Sequence, residues 1–124
     1  MKLHGDRILT LELPYPPSVN HYYGHNRFGA VYVTPKGKEY RQMVALILMA
    51  DKGVSFGAAP VSVRLGVHPP TKRRYDLDNL CKCLLDALTA AGVWEDDSQI
   101  QKLELCKMDP VKGGMVEVTV AGAD

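Results

Sequence analysis

The chain has 124 residues, of which 46% are hydrophobic and 23% charged, so we predict one domain over residues 1–124 with a modest core. A formal net charge of +1 excludes a strongly basic or acidic protein, and any nucleic-acid contact must then come from local groups of charge. The longest apolar run, Val44 to Ala50, is too short to cross a bilayer, and the first residues lack the apolar core of a signal peptide. We therefore expect a cytoplasmic protein with no membrane partner.

The first predicted element is a strand over residues 7–13. Leu9, Leu11 and Leu13 alternate with polar residues, which is the period of a half-buried strand. The three prolines of the PYPP segment that follows lack backbone donors and favour an extended backbone. Residues 14–27 are therefore expected to form an ordered loop that carries polar and aromatic side chains.

A helix is predicted after a short strand at 31–33. Thr34 and Pro35 fit the N-cap and the first helical position. The helix should run to about Lys52 and end at Gly53. Its apolar residues cover more than one stripe, so a second face is expected to meet the sheet or another subunit.

The second half of the chain predicts a strand, a helix and a strand pair. Residues 60–67 alternate between apolar and polar. A helix is expected from about Asp76, with leucines at helical spacing, to Gly92 as its C-terminal stop. Residues 100–108 and 114–120 alternate again, and the DPVKGG segment that joins them suits a β-hairpin. The order β-(β)-α-β-α-β-β indicates an α/β fold, a single small domain with a mixed β-sheet and two main helices.

The three cysteines, Cys81, Cys83 and Cys106, are expected to be reduced thiols. Their number is odd, and two of them lie close together on one predicted helix. Neither the cysteines nor the histidines show the ligand spacing of a zinc site. We therefore expect neither a disulfide framework nor structural zinc.

Acidic residues at the start of the second helix allow two explanations. In the simpler one, Asp76 is an N-cap and Asp78 complements the positive end of the helix dipole, while Asp78, Lys82 and Asp86 belong to a solvated series of i,i+4 pairs. In the other, Asp76 and Asp78 converge on a cation. Lys82 then projects from the same face, and Asp96 or Asp97 approaches if the following strand runs back beside the helix.

The second explanation has a chemical consequence. Three carboxylates in one cleft normally imply a bound cation or altered protonation, and ligands that are all oxygen favour Mg²⁺ or Mn²⁺. Such a metal supports phosphodiester hydrolysis. Acidic helix starts and acidic turns are common on protein surfaces, so spacing alone leaves both explanations open.

Four segments together resemble the RusA-type Holliday junction resolvases of bacteria and their prophages. They are PYPPSVNHYY, RRYDLDNLCKCLLDAL, AGVWEDDSQI and KGGMVEV. The resemblance covers most of the chain and implies a small homodimeric, Mg²⁺-dependent endonuclease that cuts four-way DNA junctions by paired nicks. Mn²⁺ is expected to substitute for Mg²⁺, and no organic cofactor is expected.

The resemblance also implies roles for particular residues. Asp76, Asp78 and Asp97 match the essential carboxylates, which are expected to be catalytic and to hold the metal. Lys82 matches the functionally important lysine, and Asp96 is a further candidate ligand. Tyr75 departs from the basic residue that precedes DLDN in some relatives, which leaves open the DNA contact made by that loop.

Branched DNA is the expected partner, and a set of basic, polar and aromatic residues is expected to contact it. Solvated surface is the alternative for the basic residues, and half-buried packing is the alternative for the tyrosines. The expected DNA-binding residues are Lys72, Arg73, Arg74, Asn79, Arg27, Tyr22, Tyr23, Lys36 and Lys38.

Two other functions stay open: a junction-binding protein that does not cleave, and a metal-dependent nuclease that acts on other branched DNA. Trp94 is expected to lie in the core.

Overall fold

A computed structural model of the chain describes residues 7–51 and 54–123. It confirms the α/β class, the mixed sheet and the two main helices, and adds one short helix. None of the helices in these two ranges is long and apolar enough to cross a membrane. The elements are β1 Ile8–Leu13, α1 Val19–Tyr22, β2 Tyr23–His25, β3 Val31–Val33, α2 Pro35–Ala50, β4 Val61–His68, α3 Leu77–Ala91, β5 Ile100–Lys107 and β6 Met115–Gly122.

The main sheet has four strands in the order β1-β6-β4-β5. β4 and β5 are parallel and are joined by α3, whereas β6 is antiparallel to both β1 and β4. The predicted hairpin between β5 and β6 is therefore wrong, because β4 lies between them. The connection instead crosses the end of β4, where the Met108 N–H donates to the Val67 carbonyl (2.8 Å) and the Val111 N–H donates to the Pro69 carbonyl (2.9 Å).

The alternating patterns of β1, β4 and β6 predict correctly which side chains enter the core, whereas β5, at the edge of the sheet, buries none of its residues and leaves Leu103 41% exposed. Leu9, Leu11 and Leu13 of β1 are buried, as are the four alternating apolar residues of β4 and three valines of β6. Arg64 of β4 and its neighbour Glu104 of β5 are exposed on the polar face of the sheet, where they form an ion pair (3.2 Å). Trp94 is also in the core, as predicted.

Local signals set the ends of both long helices. The Thr34 side chain accepts from the Gly37 N–H (3.1 Å), and Pro35 is the first helical residue, as predicted. α2 ends at Ala50, and the predicted stop at Gly53 lies outside the described residues. α3 ends at Gly92, whose φ of 90° is left-handed and suits glycine.

The expected loop over residues 14–27 contains two short elements instead. After the prolines, the Ser18 carbonyl accepts from the N–H groups of His21 (2.9 Å) and Tyr22 (2.8 Å), which forms α1. β2 follows at once and pairs antiparallel with β3. β2 has three residues with a glycine in the middle, too few for a period-two pattern to be visible in the sequence.

Candidate active site

A cleft of about 330 Å³ lies where the β2–β3 hairpin, α3 and the turn before β5 meet. It brings together three residues that the sequence assigned to cutting or metal binding, Lys82, Asp96 and Asp97. Tyr23, expected to contact DNA, also lines it. Residues from distant parts of the chain thus share one depression with charge of both signs. The lining residues are Tyr23, Lys82, Leu85, Asp86, Thr89, Glu95, Asp96 and Asp97.

The turn that carries Asp97 is built by a capping box. Asp97–Gln99 is a single 3₁₀ turn, and the Asp96 carboxylate accepts from the Ser98 N–H (2.8 Å). Hydrogen bonds from Ser98 hold the pKa of Asp96 below its usual value. The Asp96 side chain is used as the cap of this turn. The neighbouring Asp97 side chain takes no part in the capping box and lines the cleft.

Gln99 fixes this turn to the rest of the domain, and sequence reasoning missed it. Its side-chain oxygen accepts from the N–H groups of Glu95 (2.9 Å) and Asp96 (2.8 Å). Its side-chain nitrogen donates to the carbonyls of Gly57 (2.7 Å) and Ala59 (2.8 Å). A sequence signal exists, because DDSQ has the acidic residue and the glutamine of a capping box at the right spacing.

Lys82 lies over an aromatic ring. Its Nζ is 4.9 Å from the centroid of the Tyr23 ring, a cation–π distance. Burial, with smaller contributions that include the charges of Asp86 and Asp97, raises the pKa of Tyr23 to about 12. The phenol therefore stays protonated at neutral pH and can donate a hydrogen bond into the cleft. Lys82 takes part in none of the ion pairs found among the described residues, so the predicted i,i+4 series is not formed.

Asp76 occupies the N-cap position of α3, but its side chain makes no capping hydrogen bond there. Asp78 lies in the first turn, and both residues are exposed. The explanation of Asp76 as a side-chain cap is therefore not supported. Asp78 precedes Lys82 by one helical turn, about 6 Å along the axis. Burial, and then the charge of Asp78, raises the pKa of the Cys81 thiol.

The three carboxylates are not gathered at one point. Neither Asp76 nor Asp78 lines the cleft that contains Asp97. Within the part of the chain that the structure describes, no group of three or more His, Cys, Asp or Glu side chains is close enough to hold a metal ion. The close approach expected from the sequence is thus not observed, while the roles of the three residues stay predictions.

Most of the expected DNA-binding side chains are on the surface. Tyr23 is half-buried beside the cleft, and Lys72, Arg73 and Arg74 are exposed in the loop that leads into α3. Tyr22 is different, because its side chain is completely buried and offers no face to a base. In this structure Tyr22 therefore follows the packing alternative given for the tyrosines, and its contact with DNA stays a prediction. The other exposed members are Arg27, Lys36, Lys38 and Asn79.

The Tyr22 hydroxyl belongs to a polar network behind the cleft. Asp86 accepts the Tyr22 O–H and two hydrogen bonds from Arg41, at 2.8 and 2.9 Å. Arg41 Nε also donates to the Tyr22 oxygen (3.2 Å). The network ties α1, α2 and α3 together and places Asp86 in the cleft wall. Sequence reasoning missed it, because Arg41 and Asp86 are 45 residues apart and no local pattern links them.

Comparison with known proteins gives a consistent result. The family model described as "Endodeoxyribonuclease RusA" matches residues 14–121. The "Crossover junction endodeoxyribonuclease RusA" of Escherichia coli (strain K12) is 46% identical over 114 residues, which is 90% of this chain and 92% of the relative. The protein of the same name from Enterobacteria phage 82 is 46% identical over 113 residues, 89% of this chain and 91% of the relative. The chain therefore belongs to the RusA endodeoxyribonuclease family.

Proposed function

We propose that this protein is a structure-selective DNA endonuclease that resolves Holliday junctions, the four-way junctions of DNA recombination and repair. Its relatives in the family are named crossover junction endodeoxyribonucleases. The observation that carries the proposal is the cleft that Lys82 and Asp97 both line. Lys82 belongs to α3, and the N-cap residue of that helix, Asp76, makes no capping hydrogen bond with its side chain. A carboxylate that does not stabilise its own helix is available for chemistry.

The proposal includes a divalent cation, Mg²⁺ or Mn²⁺. The proposed ligands are Asp76, Asp78 and Asp97, with Asp96 as a further candidate, and their oxygen-only chemistry fits a hard cation. Because the three side chains lie apart in this structure, they would have to move together to bind one ion. When bound, the metal polarises the phosphodiester and orients the attacking water. The Lys82 ammonium neutralises charge that develops on the phosphate, and the protonated Tyr23 hydroxyl donates a hydrogen bond to it.

Metal binding can be tested without cleavage. We expect Mn²⁺ to raise the melting temperature of the wild type in a thermal denaturation series, because a ligand that binds only the folded state stabilises it. Asp78→Asn should lose most of that increase, since one of the three ligands becomes neutral. Glu104→Gln, an equal charge change on the polar face of the sheet, should retain it. An equal increase in all three proteins would contradict a site at the start of α3.

DNA contact is proposed for the exposed basic residues. Lys72, Arg73 and Arg74 lie two to four residues before Asp76, so they can hold phosphates where the carboxylates alone would repel them. Such contacts release counterions and make affinity sensitive to salt. Arg27, Lys36, Lys38 and Asn79 extend the proposed surface.

A homodimer is also part of the proposal. Resolution of a junction requires cuts in two strands related by two-fold symmetry, and each chain supplies one cleft, so a two-fold dimer matches the substrate. The outer face of α2 offers apolar area for a contact between copies. On it, Met43, Leu46 and Met49 are 38%, 65% and 70% exposed.

The test is a gel assay of a labelled synthetic four-way junction, with a linear duplex of the same sequence as control. We expect the wild type to make paired, symmetric nicks in the junction with Mg²⁺ or Mn²⁺ and none with EDTA. Asp78→Asn should bind the junction at least as tightly, because a negative charge is removed, but should not cut it. If the wild type nicks other branched substrates at equal rates, it is a general nuclease of branched DNA and not a resolvase. If it binds the junction but makes no nicks with either metal, it is a junction-binding protein.

A further inference from the structure

The β2–β3 hairpin presents a bare aromatic ring to solvent. Phe28, in the turn of the hairpin, is 82% exposed and is the most exposed of the large hydrophobic residues in the described ranges. Burying its ring would remove a large apolar area from water. On the same hairpin Val31 and Tyr32 are 59% and 50% exposed, and apolar side chains that are exposed together point to binding more strongly than a single exposed residue does.

The turn that carries Phe28 is ordered by its own hydrogen bonds. The Asn26 side chain accepts from the N–H groups of Phe28 (2.8 Å) and Ala30 (3.0 Å). The Asn26 N–H donates to the Ala30 carbonyl, and Gly29, with a left-handed φ of 83°, donates to the Asn26 carbonyl (both 3.0 Å). The chain thus fixes the position of a ring that it does not bury.

The hairpin is also fixed relative to the cleft. A Cβ added to Gly24 would lie 2.5 Å from the Tyr32 ring, so that ring packs directly across the two strands. Tyr23, at the base of the hairpin, lines the cleft, and the preceding Tyr22 is buried. At about 3.3 Å per strand residue, Phe28 lies roughly 10 to 15 Å from Tyr23. That span corresponds to three or four base steps of 3.4 Å along one strand.

The surroundings of the ring favour DNA over a protein partner. Between Glu12 and Glu39 the sequence contains no Asp or Glu, so nothing on the hairpin repels a phosphate. The Arg27 guanidinium lies 5.0 Å from the centroid of the Phe28 ring. The tip therefore combines a flat apolar face with a positive charge, the combination that binds unpaired bases and their phosphates.

We propose that Phe28 stacks on a base that is unpaired at the branch point of the junction, while Arg27 holds the adjoining phosphate. This inference rests on the proposed function and deepens it. The ring sets the distance between the branch point and the cleft, and so it selects which phosphate enters the cleft. The aromatic contact with DNA is thus assigned to the exposed Phe28, while Tyr22 is buried.

The experiment uses a four-way junction with 2-aminopurine at the branch point, whose fluorescence reports changes in base stacking. Binding is measured in the Asp78→Asn background, where the DNA stays intact, with Phe28→Ala, Phe28→Leu and Phe28→Trp. We expect Phe28→Ala and Phe28→Leu to weaken junction binding about 10-fold or more and to remove the fluorescence change. Phe28→Trp should restore both, since it retains a planar ring.

Two controls separate stacking from other effects. Ile8→Ala removes a side chain that is 67% exposed on β1, at the edge of the main sheet, and should change neither signal. Affinity for a linear duplex should be the same with and without the Phe28 ring. In the active protein, Phe28→Ala should also spread the cuts over neighbouring phosphates.

The outcomes distinguish this inference from the proposed function. Wild-type cleavage of the junction, together with an unchanged fluorescence signal in Phe28→Ala, overturns the inference and leaves the nuclease intact. Full activity of Phe28→Leu overturns it as well, because an apolar contact without a ring would then suffice. A wild type that does not cut junctions overturns the proposed function and the inference with it.

Discussion

Asp97→Asn should slow junction cleavage about 10²- to 10³-fold or more, the usual effect of removing one electrostatic group from an active site. Asp97 lines the same cleft as Lys82, where a carboxylate can hold a cation against the phosphate. The substitution keeps the shape of the side chain and removes its charge. Folding should be unaffected, because the capping box of the turn uses the side chains of Asp96 and Gln99.

The adjacent residue provides the matched control. Asp96→Asn makes the same chemical change one position away, and asparagine caps helical turns as well as aspartate does. It should therefore keep most of the rate if the role of Asp96 is structural. Single-turnover rates on the synthetic junction, at saturating protein and fixed Mg²⁺, measure both variants. A full rate for Asp97→Asn would remove Asp97 from the active site, and equal losses in both variants would make Asp96 a ligand as well.

Arg41→Met should destabilise the domain by about 2 to 3 kcal/mol. The Asp86 carboxylate would keep its hydrogen bond from Tyr22 but lose its positive partner. Removing one member of a fully buried pair costs about 3 to 5 kcal/mol, and the smaller value follows because the two side chains are 32% and 28% exposed. Urea denaturation, compared at unchanged m-value, gives the difference in the free energy of unfolding.

The structure supplies a control pair of the same chemistry. Arg64 and Glu104 also form an ion pair, but their side chains are 51% and 50% exposed, so Arg64→Met should leave the free energy of unfolding nearly unchanged. In a double-mutant cycle, Arg41→Met combined with Asp86→Leu should lose less than the sum of the single changes. Additive losses would show that the two residues act on stability independently. Since Tyr22 precedes the hairpin directly, a weakened network should also loosen the Tyr23 wall of the cleft.

Most of the signals that the sequence carries locally were interpreted correctly. The alternation in β1 and β4, the cap at Thr34 and the stop at Gly92 were all found, because each depends on a few neighbouring residues and their preferred backbone angles. The short strand β2 was missed because three residues cannot show a period. Gln99 was missed although its capping-box spacing was visible.

Contacts between distant segments were predicted less well. The turn-rich segment before β6 suggested a hairpin, yet β6 pairs with β4, because β5 takes the other edge of β4 through the helical crossover. The partner of Asp86 was sought four residues away at Lys82 and lies instead on α2. In both cases a local preference existed and a tertiary contact outweighed it.

The sequence by itself determined the fold class, the start of α2, both ends of α3, the family and the set of residues proposed for cutting DNA, because periodicity, capping and motif spacing are properties of neighbouring residues. Only the tertiary structure decided which of these residues meet. It joined Lys82 and Asp97 across a cleft, left Asp76 and Asp78 outside it, buried Tyr22 and exposed Phe28. The physical reason is that burial and charge pairing depend on which faces of distant elements pack together, and no single segment carries that information.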